Sequence, residues 1–288
     1  PSPSAAVAGV PAVRPDTAAA PPERRHAVYL RLQAEAALWD RHARALLGRG
    51  CQRDEAAARG YATLPLQGRA ALARRCQAGE PGVLCGVPGF FLKQAAAGGD
   101  YWSLAGRPGL LIPCRDPAGC LRAFTLRPDD PGPGGPKYTW LSSKGRPRGA
   151  GSGIHCHVAR PLVGPARPGE VWLTEGPLKA DLASQRLGAA VLAVPGVAAW
   201  PRALPDLAAL LPGGGCVVVA LDADWRVNPA VHAAVWGLTL SCLALGYELE
   251  VALWPAAHKG LDDLLAEGKV PERRPPSRSR MLKIIGAR

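Results

Sequence analysis

Apolar residues recur along this chain in two rhythms. Between 27 and 48 they come at steps of three and four: Tyr29, Leu32, Ala36, Trp39, Ala43 and Leu46 share one face of an expected helix. Gly48 and Gly50 close it. Two shorter helices are expected at 53–59 and 68–78. From 81 to 168 Gly and Pro punctuate short apolar runs such as "GVPGFF", "GLLIPCRD", "CLRAFTLR" and "KYTWLSS", which read as strands joined by turns. "RDPAGC" is the turn of a hairpin over 109–127. From 169 onward strands and helices alternate. Strands are expected at 171–174, 189–194, 216–221 and 248–254, and helices at 177–187, 203–211 and 229–245, with a short helix opening at "LDDLLAEG". Apolar strands alternating with helices predict a parallel α/β sheet.

Composition sharpens this picture only in part. The 288 residues suit about two domains, and 48% hydrophobic residues supply a core. A net charge of +12 points to a polyanionic partner. Twenty-eight of the 35 basic residues are arginine, and Ala, Gly and Pro are also abundant, as in proteins from GC-rich genomes. Charge alone therefore leaves open a solvated arginine-rich surface. Residues 1–26 read as a disordered leader and 271–288 as a flexible basic tail. No apolar run approaches the ~20 residues of a membrane span, and no signal peptide is visible, so a cytoplasmic location away from membranes is expected. The eight cysteines contain no C-x-x-C pair and read as thiols in a reducing compartment. "HCH" at 155–157 with Cys114 and Cys120 is a candidate metal clip, although its spacing matches no standard zinc pattern.

Candidate chemistry lies where strands end. "VWLTEG" runs into Glu175, and "CVVVALDAD" into Asp222 and Asp224. Ligands in open parallel sheets bind beyond the carboxyl ends of the strands, which places these acids at one edge. Asp222 and Asp224 are two apart and face the same side of an extended chain. Clustered carboxylates call for a hard cation, and Mg²⁺ is suited to that role beside substrate phosphates. Asp262 and Asp263 follow the fourth strand and can add a ligand or simply cap a helix. Upstream, Arg115, Arg122, Arg127, Lys137, Lys144, Arg146 and Arg148 are interleaved with Tyr138 and Trp140. Cations beside aromatic faces suit single-stranded nucleic acid. An ordinary hairpin with a charged outer face is the alternative.

"LTEGPLKADLA" followed by "VVVALDAD" resembles the Toprim domain shared by bacterial primases, topoisomerases, some nucleases and recombination proteins. "GLLIPCRDPAGCLRAFTLRPDD" with "PKYTWLSS" resembles the basic segment that precedes Toprim in bacterial primases. Across 29–268, "GVPGF", "KYTWLSS", "TEGPLKAD" and "KGLDDLL" are similar to a primase-like Toprim family of replication proteins from plasmids, phages and integrative elements. The resemblance implies an α/β fold: a Rossmann-like Toprim domain at 169–270 with a mainly parallel sheet, preceded by a small basic α+β subdomain with antiparallel strands at 81–168 and a helical segment at 27–80. It implies Mg²⁺- or Mn²⁺-dependent nucleotidyl transfer during replication of a mobile element. Glu175, Asp222, Asp224 and Asp262 would hold metal, Glu175 would also act in proton transfer, and Arg127, Lys137, Tyr138 and Lys179 would contact nucleotide phosphates or template. Single-stranded DNA or RNA, nucleotides and a helicase domain or protein are the implied partners. A non-catalytic nucleic-acid-binding module and a Toprim phosphodiesterase or nuclease remain alternatives. The chain departs from primases in lacking zinc-ribbon cysteines, and no Walker motif occurs.

Overall fold

The computed structural model describes residues 17–96, 98–222, 229–255 and 257–276. Helix α1 spans Pro22–Glu35, starts on a proline that needs no intrahelical N–H partner, and buries Val28, Tyr29 and Leu32. It begins inside the expected leader, where Ala20 is already anchored by donating its N–H to Gly86 O at 2.8 Å. Residues 1–16 of that leader lie outside the described residues.

The single helix expected over 27–48 is two helices. Helix α2 spans Asp40–Leu47, and the chain between α1 and α2 is not helical. A strand missed by the sequence reading, β1 (Ala62–Leu64), explains the break. Thr63 N–H donates to Ala37 O at 3.0 Å, and Trp39 N–H donates to the Thr63 hydroxyl at 3.0 Å. These tertiary bonds outweigh the helical period and leave Trp39 on the surface, beneath the Arg41 guanidinium. Helices α3 (Arg53–Arg59) and α4 (Arg69–Gln77) fall where periodicity places them.

Strands β2 (Phe90–Gln94) and β3 (Asp100–Leu104) form one antiparallel hairpin. β4 (Gly109–Arg115) and β5 (Leu121–Pro128) form the expected second one. With β1 and β6 (Thr139–Trp140) they make an antiparallel sheet of order β1-β4-β5-β6. Its apolar face meets α1 and α4, where Tyr29 and Phe124 pack edge to face at 5.2 Å. Gly109 must be glycine, because a Cβ there would lie 2.2 Å from Arg127 O.

The second sheet contains β7 (His157–Ala159), β8 (Glu170–Glu175), β9 (Ala190–Val194), β10 (Cys216–Val219), β11 (Glu248–Leu253) and β12 (Glu272–Arg274). Its order is β12-β11-β10-β8-β9-β7, parallel at its four central strands and antiparallel at both edges. Helices α5 (Pro177–Leu187), α6 (Ala203–Leu210), α7 (Pro229–Ala244) and α8 (Leu261–Ala266) follow successive strands. Separate apolar clusters on the two faces explain why β9 is buried at every position.

Two boundaries need correction. β7 falls within the span assigned to the basic subdomain but pairs with β9, and the expected tail contributes β12. Arg273 holds β12 in place by reaching Glu250 at 2.5 Å and Glu170 at 2.7 Å. Residues 277–288 of the tail lie outside the described residues.

All eight cysteines are unpaired, and burial pushes the thiols of Cys51, Cys76, Cys114 and Cys156 up to about 12. The "HCH" clip is overturned by its partners. The Cys114 thiol meets the Thr125 hydroxyl, His155 meets Ser152 O, and His157 accepts from the Arg115 N–H. No helix among the described residues is long and apolar enough to cross a membrane.

Candidate functional site

The two sheets face each other across a groove of about 620 Å³. One wall comes from β5 and the β6 region and carries Thr125, Arg127, Lys137, Tyr138 and Trp140. The opposite wall is the carboxyl edge of the parallel strands, with Glu175, Lys179, Asp222, Asp262 and Asp263, and Arg49 from beyond α2 closes one side.

Topology explains the acidic wall. Glu175 is the last residue of β8, and Asp222 follows β10, its immediate parallel neighbour. Pairing continues past β10, where Ala220 N–H donates to Leu173 O at 2.8 Å. Both acids therefore reach the same edge. Gly176 has φ +79°, a conformation open to glycine, which turns the chain from β8 into α5. Pro177 opens that helix, and Lys179 projects into the groove, where its ammonium pairs with Asp222.

Asp262 lies in the first turn of α8 and is only 3% exposed. One carboxylate oxygen accepts from Arg49 at 2.5 Å. The other is buried with no hydrogen-bond donor among the described residues. A Cβ on Gly260 would fall 2.6 Å from that bare oxygen and 3.3 Å from the Lys179 ammonium, so glycine leaves room for both. Asp263 instead caps the helix, accepting from Gly260 N–H at 3.2 Å. Burial pulls the Arg49 guanidinium down, but the Asp262 carboxylate and the neighbouring Tyr138 outweigh it and hold Arg49 above its ordinary value. On the basic wall the Lys137 ammonium lies 5.7 Å from the centre of the Tyr138 ring.

One groove thus collects Glu175, Asp222, Asp262, Lys179, Arg127, Lys137 and Tyr138. Asp224 lies outside the described residues. Lys179, expected to meet nucleotide phosphates, is paired with Asp222. Arg49, Thr125 and Lys259 also line the groove and were missed. Arg49 stands between two glycines 213 positions from Asp262, so only the folded chain reveals their pairing. Among the described residues no three His, Cys, Asp or Glu side chains converge to hold an ion. The bare Asp262 oxygen nevertheless fits a cation, because an unpartnered buried carboxylate oxygen is costly and prefers positive charge.

A second acidic centre went unseen in the sequence. Asp181, on α5, accepts from Arg59 at 2.8 Å, Tyr61 at 2.6 Å and His157 at 3.2 Å. Since the His157 Nδ1 accepts from Arg115 N–H, its Nε2 is the donor to Asp181. Burial alone would raise the Asp181 carboxyl. The His157 imidazole, the Arg59 guanidinium and the Tyr61 hydroxyl outweigh it and hold Asp181 below the ordinary value.

The arrangement of a basic antiparallel sheet against the carboxyl edge of a mixed, centrally parallel one is similar to the catalytic core of bacterial primases. The Aquifex aeolicus primase, in a structure of its zinc-binding and RNA polymerase domains, superposes with a TM-score of 0.63 at 17% identity, over 92% of this chain and 61% of that one. This chain therefore spans under two thirds of that relative. A DNA primase domain from Pseudomonas aeruginosa matches with a TM-score of 0.57 at 20% identity, over 93% of this chain and 78% of that one. The RNA polymerase domain of Mycobacterium tuberculosis primase DnaG, in complex with a double-stranded DNA oligomer bearing a 6-nucleotide overhang, matches with a TM-score of 0.57 at 18% identity, over 91% of this chain and 83% of that one. The model of a family described as a domain of unknown function (DUF3854) matches residues 168–270. No curated protein matches the chain.

Proposed function

We propose that this chain is a primase-like Toprim protein that carries out divalent-metal-dependent nucleotidyl transfer on single-stranded nucleic acid. The observation that carries the reading is the shared groove, with cations and aromatic rings on one wall and strand-end carboxylates on the other. The fold likeness and the DNA-bound Mycobacterium tuberculosis structure support it. Sequence marks such as "TEGPLKAD" and "KGLDDLL" support a role in replication of a mobile element, in the cytoplasm and beside a helicase.

In this reading Arg127 and Lys137 neutralise backbone phosphates, while Tyr138 and Trp140 offer faces for base stacking. Glu175, Asp222 and Asp262, with Asp224, would hold Mg²⁺ or Mn²⁺. Bound there, such an ion would supply positive charge to the substrate phosphates and to the departing pyrophosphate. Glu175 takes the proton of the attacking sugar hydroxyl. Lys179 releases Asp222 and turns its ammonium to the nucleotide phosphates. A non-catalytic nucleic-acid-binding module is the second reading. It is favoured by the Lys179–Asp222 and Arg49–Asp262 pairs, in which the protein's own cations already meet two of the acids.

Primer extension and strand cleavage, measured on one labelled template with Mg²⁺ or Mn²⁺, test these readings. Template-dependent extension by the wild type, lost in Asp222→Asn/Asp224→Asn, is the expected result. Cleavage without extension would make the chain a phosphodiesterase. DNA binding with neither activity would leave the binding module.

A further inference from the structure

Helix α5 separates the groove from a smaller pocket. Lys179 and Asp181 are two residues apart, which in a helix turns their side chains to nearly opposite sides. Lys179 lines the groove, whereas Asp181 lines a cavity of about 160 Å³ together with Arg59, Arg115, Asp116, His157 and Arg160. This pocket has no part in the chemistry proposed above.

The charges around it do not balance. Asp181 is committed to Arg59, Tyr61 and His157. Asp116 is committed to Arg122 at 2.5 Å and to the Cys120 N–H at 2.8 Å. Arg59 spends its donors on Glu55, Asp181 and Ser184. Arg115 and Arg160 remain. Among the described residues neither meets a carboxylate. Arg115 donates to Gly119 O at 3.0 Å and Arg160 to Pro117 O at 3.1 Å. Burial pulls the Arg115 guanidinium below its ordinary value although Asp181 lies nearby. Two guanidinium groups that retain unused donors beside a common cavity are a fork for an oxyanion, since arginine recognises phosphate through paired N–H groups. The cavity is well below the ~300 Å³ at which sites for drug-sized ligands begin, so it suits a phosphate group rather than a whole nucleotide.

We propose that this pocket binds a phosphate group, clamped by Arg115 and Arg160. The phosphate comes either as free orthophosphate or as the 5′-terminal phosphate of a nucleic-acid strand whose sugar remains outside.

The test is equilibrium dialysis of the full chain against radiolabelled orthophosphate at constant ionic strength. Saturable binding is expected in the wild type, weakened at least tenfold in both Arg115→Met and Arg160→Met. It should persist in Arg127→Met, which alters only the groove. Arg160 is exposed, so its variant remains informative if Arg115→Met fails to fold. Competing oligonucleotides distinguish the sources. Displacement by a 5′-phosphorylated strand but not its 5′-hydroxyl twin assigns a strand end, and displacement by neither assigns free phosphate. Absence of saturable binding would overturn the proposal, as would binding lost in Arg127→Met and intact in both clamp variants.

Discussion

Two carboxylate centres flank helix α5, each an aspartate facing cationic partners, with opposite outcomes. Around Asp181 both carboxylate oxygens have donors, supplied by α3, by the approach to β1 and by β7. Around Asp222 and Asp262 the cations are Lys179 and Arg49, the surroundings open into a groove, and one Asp262 oxygen has no donor among the described residues. A satisfied buried network fixes one arrangement of the chain and leaves no valence for anything else. An incompletely satisfied one is held in place by the surrounding fold and keeps capacity for a ligand. Completeness of pairing, more than acidity, separates architecture from a candidate site here.

The sharpest way to break this comparison is to remove a partner from the buried centre. Arg59→Met leaves Asp181 without its guanidinium, and denaturant titration should register a loss of about 3–5 kcal/mol, the scale for a broken buried ion pair. A loss below about 1 kcal/mol would show that Asp181 is no more structural than its groove counterparts. At the groove the balance reverses. Asp222→Asn should leave the unfolding midpoint nearly unchanged and slow metal-dependent nucleotidyl transfer about a hundredfold, or ~2.7 kcal/mol of barrier. A smaller effect belongs to the basic wall: Lys137→Met should weaken single-stranded DNA binding by roughly 1 kcal/mol and flatten the plot of log affinity against log salt by about one unit.

The mildest effect is on acid stability. Asp181 is held below its ordinary value, so the unfolded chain takes up its proton first as pH falls. Its contribution is complete above the unfolded carboxylate value of about 4 and fades only beneath it. Unfolding midpoints of the wild type and Asp181→Asn, measured from pH 7 down to pH 3, should keep a constant gap until about pH 4 and converge below. A gap that closes between pH 7 and pH 5 would contradict the assignment.

Periodicity and strand ends made the alternating half legible. The apolar runs before Glu175 and Asp222 place both acids on one sheet edge without any knowledge of tertiary contacts. The hairpin over 109–127 was readable from its turn for the same local reason. What stayed hidden depends on distant partners. The break before Asp40 needs Thr63, and β12 needs Glu170 and Glu250. Asp181 and Arg59 are 122 positions apart, and Asp181 sits in "KADLA" with nothing local to distinguish a buried acid from an exposed one. Arg49 was passed over because its setting reads as a helix terminus.

The anchoring of α5 also fixes one side of the groove. With Asp181 tied to three elements, the helix carrying Lys179 is a fixed jaw. The facing jaw is lighter: β6 pairs with β5 at Thr125–Trp140 and Leu126–Thr139, and the Leu141 N–H adds one bond to Phe124 O at 2.9 Å. The strip bearing Lys137 and Tyr138 therefore hangs from the edge of its sheet by a short ladder, whereas Lys179 stands on a helix bound at three points. The two walls of one passage thus differ in how firmly the chain secures them.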